Sequence, residues 1–145
     1  MDTKRRKKIL LVKHPYDGHE RGYYIIAKWL RDAGMEVVLG GGQLALEIVD
    51  TATQEDVDVI GYRIMSVAPD IVVSELFKKL KKKGVDIPVI VGGIISEQEI
   101  TNLKKLGVVE VFPPGSSLDS IVSTVEKLCS RPVISDINDF IKAQE

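Results

Sequence analysis

One loop of the sequence concentrates the side chains best suited to chemistry. The chain has two histidines, His14 and His19, and both follow the apolar run I-L-L-V at 9–12. His19 lies in the segment D-G-H-E-R-G at 17–22, with a carboxylate two residues before it. A neutral imidazole whose second nitrogen is fixed by a carboxylate is a common metal ligand. A loop histidine that simply hydrogen-bonds a nearby aspartate fits the same spacing, so the motif alone leaves both interpretations open.

The strands and helices that must position this loop belong to a chain that is long enough for a single domain. The chain has 145 residues, of which 44% are hydrophobic and 28% charged, as in a soluble globular protein. A net charge of −1 gives no global field that would favour nucleic acid or an acidic membrane. The single cysteine, Cys129, excludes an internal disulfide and fits a reduced, cytoplasmic setting. No apolar run approaches the ~18 residues of a membrane span, so we expect none.

Short apolar runs alternate with helical patterns along the chain. The predicted strands are 8–13, 36–39, 57–61, 88–91 and 108–112, and the predicted helices are 22–33, 44–54, 69–83, 97–106 and 118–130. Strands that are apolar throughout suit a sheet buried on both faces. The order predicts an α/β, flavodoxin-like (Rossmann-like) doubly wound parallel sheet of five strands in the order 2-1-3-4-5. Residues 1–131 are predicted to form this domain and 132–145 a tail, with a short helix around 136–142.

Glycine-bearing segments follow each predicted strand, at 17–22, 40–42, 61–66, 92–93 and 113–117. In such a sheet, ligands bind at the carboxyl ends of the strands, and glycine lets the backbone approach a bulky ligand. None of the segments matches a dinucleotide or triphosphate fingerprint. A phospho-acceptor aspartate is expected after the third strand of a response regulator, but Tyr62 and Arg63 stand there. The pattern favours a groove for a large ligand.

These motifs resemble, in their order, the cobalamin-binding domain of adenosylcobalamin-dependent carbon-skeleton mutases. The resemblance consists of D-x-H-x-x-G after the first strand, a glycine-led loop after the third, Gly-Gly after the fourth and Pro-Gly-Ser after the fifth. The segment 54–61 also looks like the acyl-CoA mutase branch, of which methylmalonyl-CoA mutase is the familiar member. The resemblance covers about residues 8–130.

The resemblance implies a role for each residue of an axial ligand system. His19 would ligate the cobalt of adenosylcobalamin in place of the cofactor's own dimethylbenzimidazole. Asp17 would accept a hydrogen bond from the other imidazole nitrogen, and Lys13 would pair with that carboxylate. The freed nucleotide tail would enter a slot between sheet and helices. The implied cofactor-binding residues are Asp17, Gly18, His19, Arg21, Gly22, Gly61, Arg63, Met65, Gly92, Gly93, Gly115 and Ser116.

The sequence departs from the family pattern at three places. The family usually has Ser-x-Leu after the third strand, where this chain has Arg63 and Met65. The arginine either reshapes the tail pocket or reaches a phosphate or amide of the tail. Pro113 stands where a glycine is usual, and His14-Pro15-Tyr16 precedes the motif where the family tends to have a glycine. His14 is in principle a rival cobalt ligand.

The resemblance also implies a division of labour between two subunits. Five βα units and a short tail use all 145 residues, so we expect the substrate-binding TIM barrel on a separate large subunit. This chain would then be the small subunit of an acyl-CoA mutase, an isomerase, and would be inactive alone. Methylmalonyl-CoA, isobutyryl-CoA, 2-hydroxyisobutyryl-CoA and bulkier acyl-CoA substrates stay open. One alternative is a corrinoid carrier for methyl transfer. Such carriers usually have an N-terminal helical cap, and the roughly seven residues before the first strand disfavour one here. The other alternative is a non-catalytic cobalamin-binding module.

Overall fold

Five strands and five helices alternate along the part of the chain that the structure describes, a computed structural model covering residues 7–15, 20–65 and 68–129. In chain order they are β1 (Lys8–Lys13), α1 (Arg21–Asp32), β2 (Glu36–Gly42), α2 (Ala45–Glu55), β3 (Val59–Ile64), α3 (Pro69–Lys83), β4 (Val89–Gly93), α4 (Glu97–Leu106), β5 (Glu110–Phe112) and α5 (Leu118–Leu128).

The strands form one parallel sheet in the order β2-β1-β3-β4-β5. This confirms the predicted fold class and strand order. Parallel neighbours require crossover connections, which the helices supply. The chain therefore doubles back once, next to β1, and the carboxyl ends of β1 and β3 meet at this switch point.

Several predicted strand ends were wrong, and most errors have one cause. Glycines were interpreted as loop residues, whereas the structure places 40–42 within β2 and Gly92 and Gly93 at the end of β4. The third strand was predicted at 57–61 but runs from Val59 to Ile64, because Arg63 pairs in register with Lys13 on one side and Gly92 on the other. β5 begins at Glu110 rather than at 108. The predicted limits of α3 and α4 agree with the structure.

The two faces of the sheet are covered by different helices. Alternate residues of a strand point to opposite faces, so β1 contributes Leu10 and Val12 to one face and Ile9 and Leu11 to the other. We call the first the packed face, which α2, α3 and α4 cover with buried side chains such as Leu76. The second is the open face, which α1 and α5 cover.

Tyr23 of α1 connects two strands where their register slips. The pairing of β1 with β2 shifts between Leu11 and Val12, which leaves Gly40 as an extra residue in β2. The buried hydroxyl of Tyr23 donates to the carbonyl oxygen of Leu11 at 2.7 Å and accepts from the amide of Gly41 at 2.9 Å. These two bonds satisfy backbone groups beside the bulge.

Residues 130–145 lie outside the described part of the chain. The predicted domain boundary at 131/132 and the predicted helix around 136–142 fall there, so both stay predictions. Within the described ranges, no helix is long and apolar enough to cross a lipid bilayer.

Candidate functional site

A cavity of about 290 Å³ lies between the open face of the sheet and helices α1 and α5. Its size is at the lower end of the range of about 300–1,000 Å³ for small-molecule sites. The lining residues come from the strands, the two helices and the loop after β5: Leu11, Tyr23, Ile26, Gly61, Tyr62, Arg63, Met65, Ile90, Val91, Gly92, Gly93, Phe112, Pro113, Pro114, Gly115, Ser116, Leu118 and Ile121. The cavity thus extends to the carboxyl ends of β3, β4 and β5, where ligands bind in this architecture.

Two strand positions on the open face that line the cavity carry no side chain. Gly61 stands between Val59 and Arg63 on the same face of β3, and Gly92 follows Ile90 on that face of β4. A Cβ atom added to Gly92 would meet nothing closer than the Phe112 carbonyl oxygen, at 3.6 Å. Apolar side chains would fill this space in an ordinary core. Here the glycine backbone forms the floor of the cavity.

Gly93 has a different role from its neighbour. Its φ of +135° is a conformation that residues with a Cβ rarely adopt. A Cβ atom at this position would also overlap the backbone carbonyl of Ile64 on β3. Gly92 therefore leaves space for a ligand, whereas Gly93 is needed by the fold where β4 ends.

Arg63 is the one charged residue that lines the cavity in the described part of the chain. It lies one residue before the end of β3 and is partly buried. Its guanidinium group lies against the start of α1, since a Cβ atom on Gly22 would be 2.7 Å from its Nη2 atom. The side chain therefore reaches from the sheet to α1 at the carboxyl-end edge of the cavity.

Lys13 ends β1 with a side chain that is only 10% exposed. Its Nζ atom lies 3.2 Å from Oε1 of Glu20, the residue before α1. Sequence reasoning did not predict this ion pair. The pair of Lys13 with Asp17 that the resemblance implies stays a prediction, because Asp17 lies outside the described residues. The neighbouring His14 is 5% exposed, and its amide donates to the carbonyl oxygen of Arg63 at 3.2 Å. These contacts hold the end of β1 to β3 and to the start of α1.

Two hydroxyl groups on the cavity wall already have partners within the protein. Tyr23 makes the two backbone bonds described above, and burial raises the pKa of its hydroxyl despite the opposing effect of the bond from Gly41. Ser116 Oγ donates to the Pro113 carbonyl oxygen at 2.7 Å. The remaining lining is apolar apart from Arg63 and backbone groups, which fits a flat aromatic base that carries an anionic group.

The structure brings seven predicted site residues together around this cavity: Gly61, Arg63, Met65, Gly92, Gly93, Gly115 and Ser116. Gly22 lies beside Arg63, whereas Arg21 is exposed at the start of α1 and does not line the cavity. Asp17, Gly18 and His19 lie outside the described residues, and the residues that are described contain no cluster of three His, Cys, Asp or Glu side chains able to hold a metal. Cofactor binding by all of these residues stays a prediction.

Sequence reasoning did not identify the apolar walls of the cavity, among them Leu11, Tyr23, Phe112 and Ile121. Their spacing is that of ordinary core residues, so the sequence carries no separate signal for them. The missing side chains at Gly61 and Gly92 were the available signal.

Comparison with known proteins gives consistent results. The family model for the B12-binding domain matches residues 7–122. The 2-hydroxyisobutanoyl-CoA mutase small subunit of Aquincola tertiaricarbonis is 42% identical over 124 residues, which cover 81% of this chain and 91% of that protein. The pivalyl-CoA mutase small subunit of Xanthobacter autotrophicus is 40% identical over 139 residues, covering 94% and 93%.

Among solved structures, a cobalamin-binding protein from Desulfitobacterium hafniense superposes with a TM-score of 0.70 at 22% identity. The match covers 86% of this chain and 60% of that structure. At this identity the likeness supports the fold alone.

Proposed function

The chain belongs to the B12-binding domain family, and from this premise we propose that it is the adenosylcobalamin-binding small subunit of a two-component acyl-CoA mutase. The observation that carries the proposal is the cavity on the open face, floored by Gly61 and Gly92 and reaching the carboxyl ends of the strands. The D-x-H-x-x-G segment follows β1 in the sequence, and β1 ends at the same edge. One loop can thus supply a cobalt ligand while the neighbouring cavity receives a nucleotide tail.

In this proposal each residue of the axial system has a distinct task. His19 holds cobalt through one ring nitrogen, and Asp17 accepts a hydrogen bond from the other, which fixes the tautomer and raises the basicity of the ring. The Lys13 ammonium favours the ionised form of that carboxylate. The ion pair of Lys13 with Glu20 keeps the ammonium at the end of β1, next to this loop. When bound, the cofactor supplies the homolytic carbon–cobalt chemistry that starts a skeletal rearrangement.

The mutase assignment further requires a large subunit that binds the substrate and closes the upper side of the corrin. Both relatives described above are named as small subunits. Large apolar side chains are exposed in the first turns of the helices and in the loop after β4, all at the ligand-binding edge of the sheet: Tyr24 (53%), Leu44 (52%), Leu46 (48%), Ile71 (67%) and Ile94 (60%). A partner seated on this edge would bury these side chains.

The substrate class follows the relatives. The 2-hydroxyisobutanoyl and pivalyl groups are both branched at carbon 2, so we propose an acyl-CoA branched at carbon 2, bound mainly by the large subunit. Similarity to mutase subunits supports this function over a methyl-transfer carrier. The cytoplasmic location expected from the cysteine content stays a prediction.

The proposal is tested by titrating the purified chain with adenosylcobalamin and recording the absorption spectrum. We expect the spectrum of a cofactor whose own base has been replaced by a histidine, and we expect His19→Ala to abolish that change. His14→Asn is the matched control from the same loop and should retain it. An unchanged spectrum with the wild-type chain contradicts cofactor binding.

The division of labour is tested by assaying isomerisation of an acyl-CoA branched at carbon 2 by mass spectrometry. The chain alone should give no turnover, and addition of a mutase large subunit should restore it. Turnover by the chain alone would contradict the two-component proposal.

A further inference from the structure

We propose that Arg63 binds the phosphodiester of the cofactor's nucleotide tail and so selects corrinoids that carry this phosphate. The inference rests on the proposed function and assigns a ligand group to one side chain. The sequence alone left open whether Arg63 reshapes the tail pocket or contacts a phosphate or an amide of the tail.

The position of Arg63 is the first argument. It is the one charged side chain that lines the cavity in the described ranges, and every other lining side chain is apolar or an uncharged hydroxyl. In the sheet it pairs with Lys13 and Gly92, at the carboxyl-end edge where a tail enters. The deeper lining, such as Leu11 and Ile90, offers no partner to an anion.

The reach of the side chain is the second argument. The Arg63 side chain extends from β3 to the backbone of α1 at Gly22, a residue that does not line the cavity, so its guanidinium group lies at the edge of the cavity. A base that passes this point lies against the glycine floor. The phosphate connects the base to the corrin through short links. It is therefore the part of the tail that lies beside Arg63.

Desolvation is the third argument. A tail that enters the cavity removes water from around the partly buried guanidinium, and an anion on the tail offsets the cost of that loss. The phosphodiester is the only anion on the tail. A planar guanidinium can donate two parallel hydrogen bonds to phosphate oxygens, which an ammonium cannot do. The phosphodiester therefore matches the charge and the donor geometry of this side chain.

The experiment compares three probes that differ stepwise in the tail: adenosylcobalamin, adenosylcobinamide phosphate, which lacks the base, and adenosylcobinamide, which lacks base and phosphate. Dissociation constants are measured by absorbance or tryptophan fluorescence for the wild-type chain, Arg63→Met and Arg63→Lys. Methionine keeps most of the bulk without the charge. Lysine keeps the charge but cannot donate two parallel hydrogen bonds. Circular dichroism checks that each variant is folded.

We expect Arg63→Met to weaken binding of the two phosphate-bearing probes by about tenfold to a hundredfold. Its affinity for adenosylcobinamide should stay within about twofold of wild type. Arg63→Lys should fall between the two proteins. The wild-type preference for adenosylcobinamide phosphate over adenosylcobinamide should shrink as salt is raised, because added ions screen the pair.

Three outcomes separate this inference from the proposed function. Wild-type affinity of Arg63→Met for adenosylcobalamin overturns the phosphate assignment alone. Equal weakening of all three probes also overturns it, because it shows a role in shaping the cavity or contacting the corrin. Failure of the wild-type chain to bind any of the three overturns the proposed function, and the inference with it.

Discussion

The packed and open faces of the sheet come from alternate residues of the same strands, yet they are filled to different degrees. On the packed face, Ile60 and Ile64 of β3 flank Tyr62, and all three are buried under helices. On the open face, the same strand presents Val59, Gly61 and Arg63, and a cavity of about 290 Å³ remains above it. The packed face is a hydrophobic core. The open face combines a smaller core with a candidate ligand site at the carboxyl ends of the strands.

This difference shows how a parallel sheet can carry function without losing its fold. Burial of apolar surface is the main stabilising term in folding, and the packed face supplies most of the buried side chains. The open face omits a side chain at Gly92, where one would have contributed stability. At Gly61 a Cβ atom would lie only 3.1 Å from the Leu11 side chain. The cavity therefore costs stability, which a ligand that fills it would restore.

The largest expected effect on stability comes from creating a cavity in the packed face. Leu76 of α3 is fully buried there, and Leu76→Ala should lower the free energy of unfolding by about 2–5 kcal/mol. Urea denaturation measures this change. Ile121→Ala, on the cavity wall of the open face, is the control and should cost less. Equal losses would show that the two faces do not differ in packing.

The next effect concerns the glycine that the fold itself requires. Gly93→Ala places a Cβ atom at a φ of +135° and against the Ile64 carbonyl. It should destabilise the chain by about 3 kcal/mol, measured as a shift in the urea midpoint. A neutral substitution would mean that β4 ends differently from the described backbone.

Alkaline pH should weaken the packed face through Tyr62, because burial raises the pKa of its hydroxyl from the ordinary value of 10.0 to about 12. The unfolded chain loses this proton near pH 10, whereas the folded chain keeps it until about pH 12. Stability is therefore fully present below pH 10 and decreases by about 2–3 kcal/mol as the pH rises between these values. Urea titrations at several pH values should show a smaller decrease for Tyr62→Phe. Identical pH profiles would refute the assignment to Tyr62.

A smaller effect is expected on the open face at Tyr23. Tyr23→Phe removes the acceptor of the Gly41 amide and the donor to the Leu11 carbonyl, beside the bulge of β2. The loss should be about 1–2 kcal/mol. Faster hydrogen exchange confined to Gly41 and its neighbours would locate it. Unchanged exchange there would show that the hydroxyl does not hold the two strands together.

The smallest stability change should come with a clear loss of binding. Gly92→Ala adds a methyl group without a clash, since its nearest neighbour, the Phe112 carbonyl oxygen, would be at an ordinary contact distance of 3.6 Å. Stability should rise by about 0.5–1 kcal/mol, whereas affinity for adenosylcobalamin should fall about tenfold. Thermal unfolding and titration measure the two quantities. Unchanged affinity would show that Gly92 is not in contact with the ligand.

Much of the fold could be predicted from the sequence because apolar runs and helix limits are local signals. The strand order and the limits of α3 and α4 followed from them. The ends of β3 and β4 could not be predicted, because Arg63 and Gly92 pair with each other only in the folded sheet.

The candidate site shows the same division. The glycines and Arg63 were identified from the sequence, and the structure brings them to one cavity. The pair between Lys13 and Glu20 and the contact of Arg63 with Gly22 depend on where side chains reach in three dimensions. Local sequence patterns do not show which distant residue a side chain contacts in the folded protein.

The most direct test of cobalamin held through His19 is the electron paramagnetic resonance spectrum of cob(II)alamin bound to the chain labelled with ¹⁵N-histidine. A coordinating ¹⁵N nucleus splits each cobalt line into two, whereas the ¹⁴N of the cofactor's own base splits it into three. The account predicts twofold splitting in the labelled wild-type chain and its loss in His19→Ala. Threefold splitting in the labelled wild-type chain would contradict it.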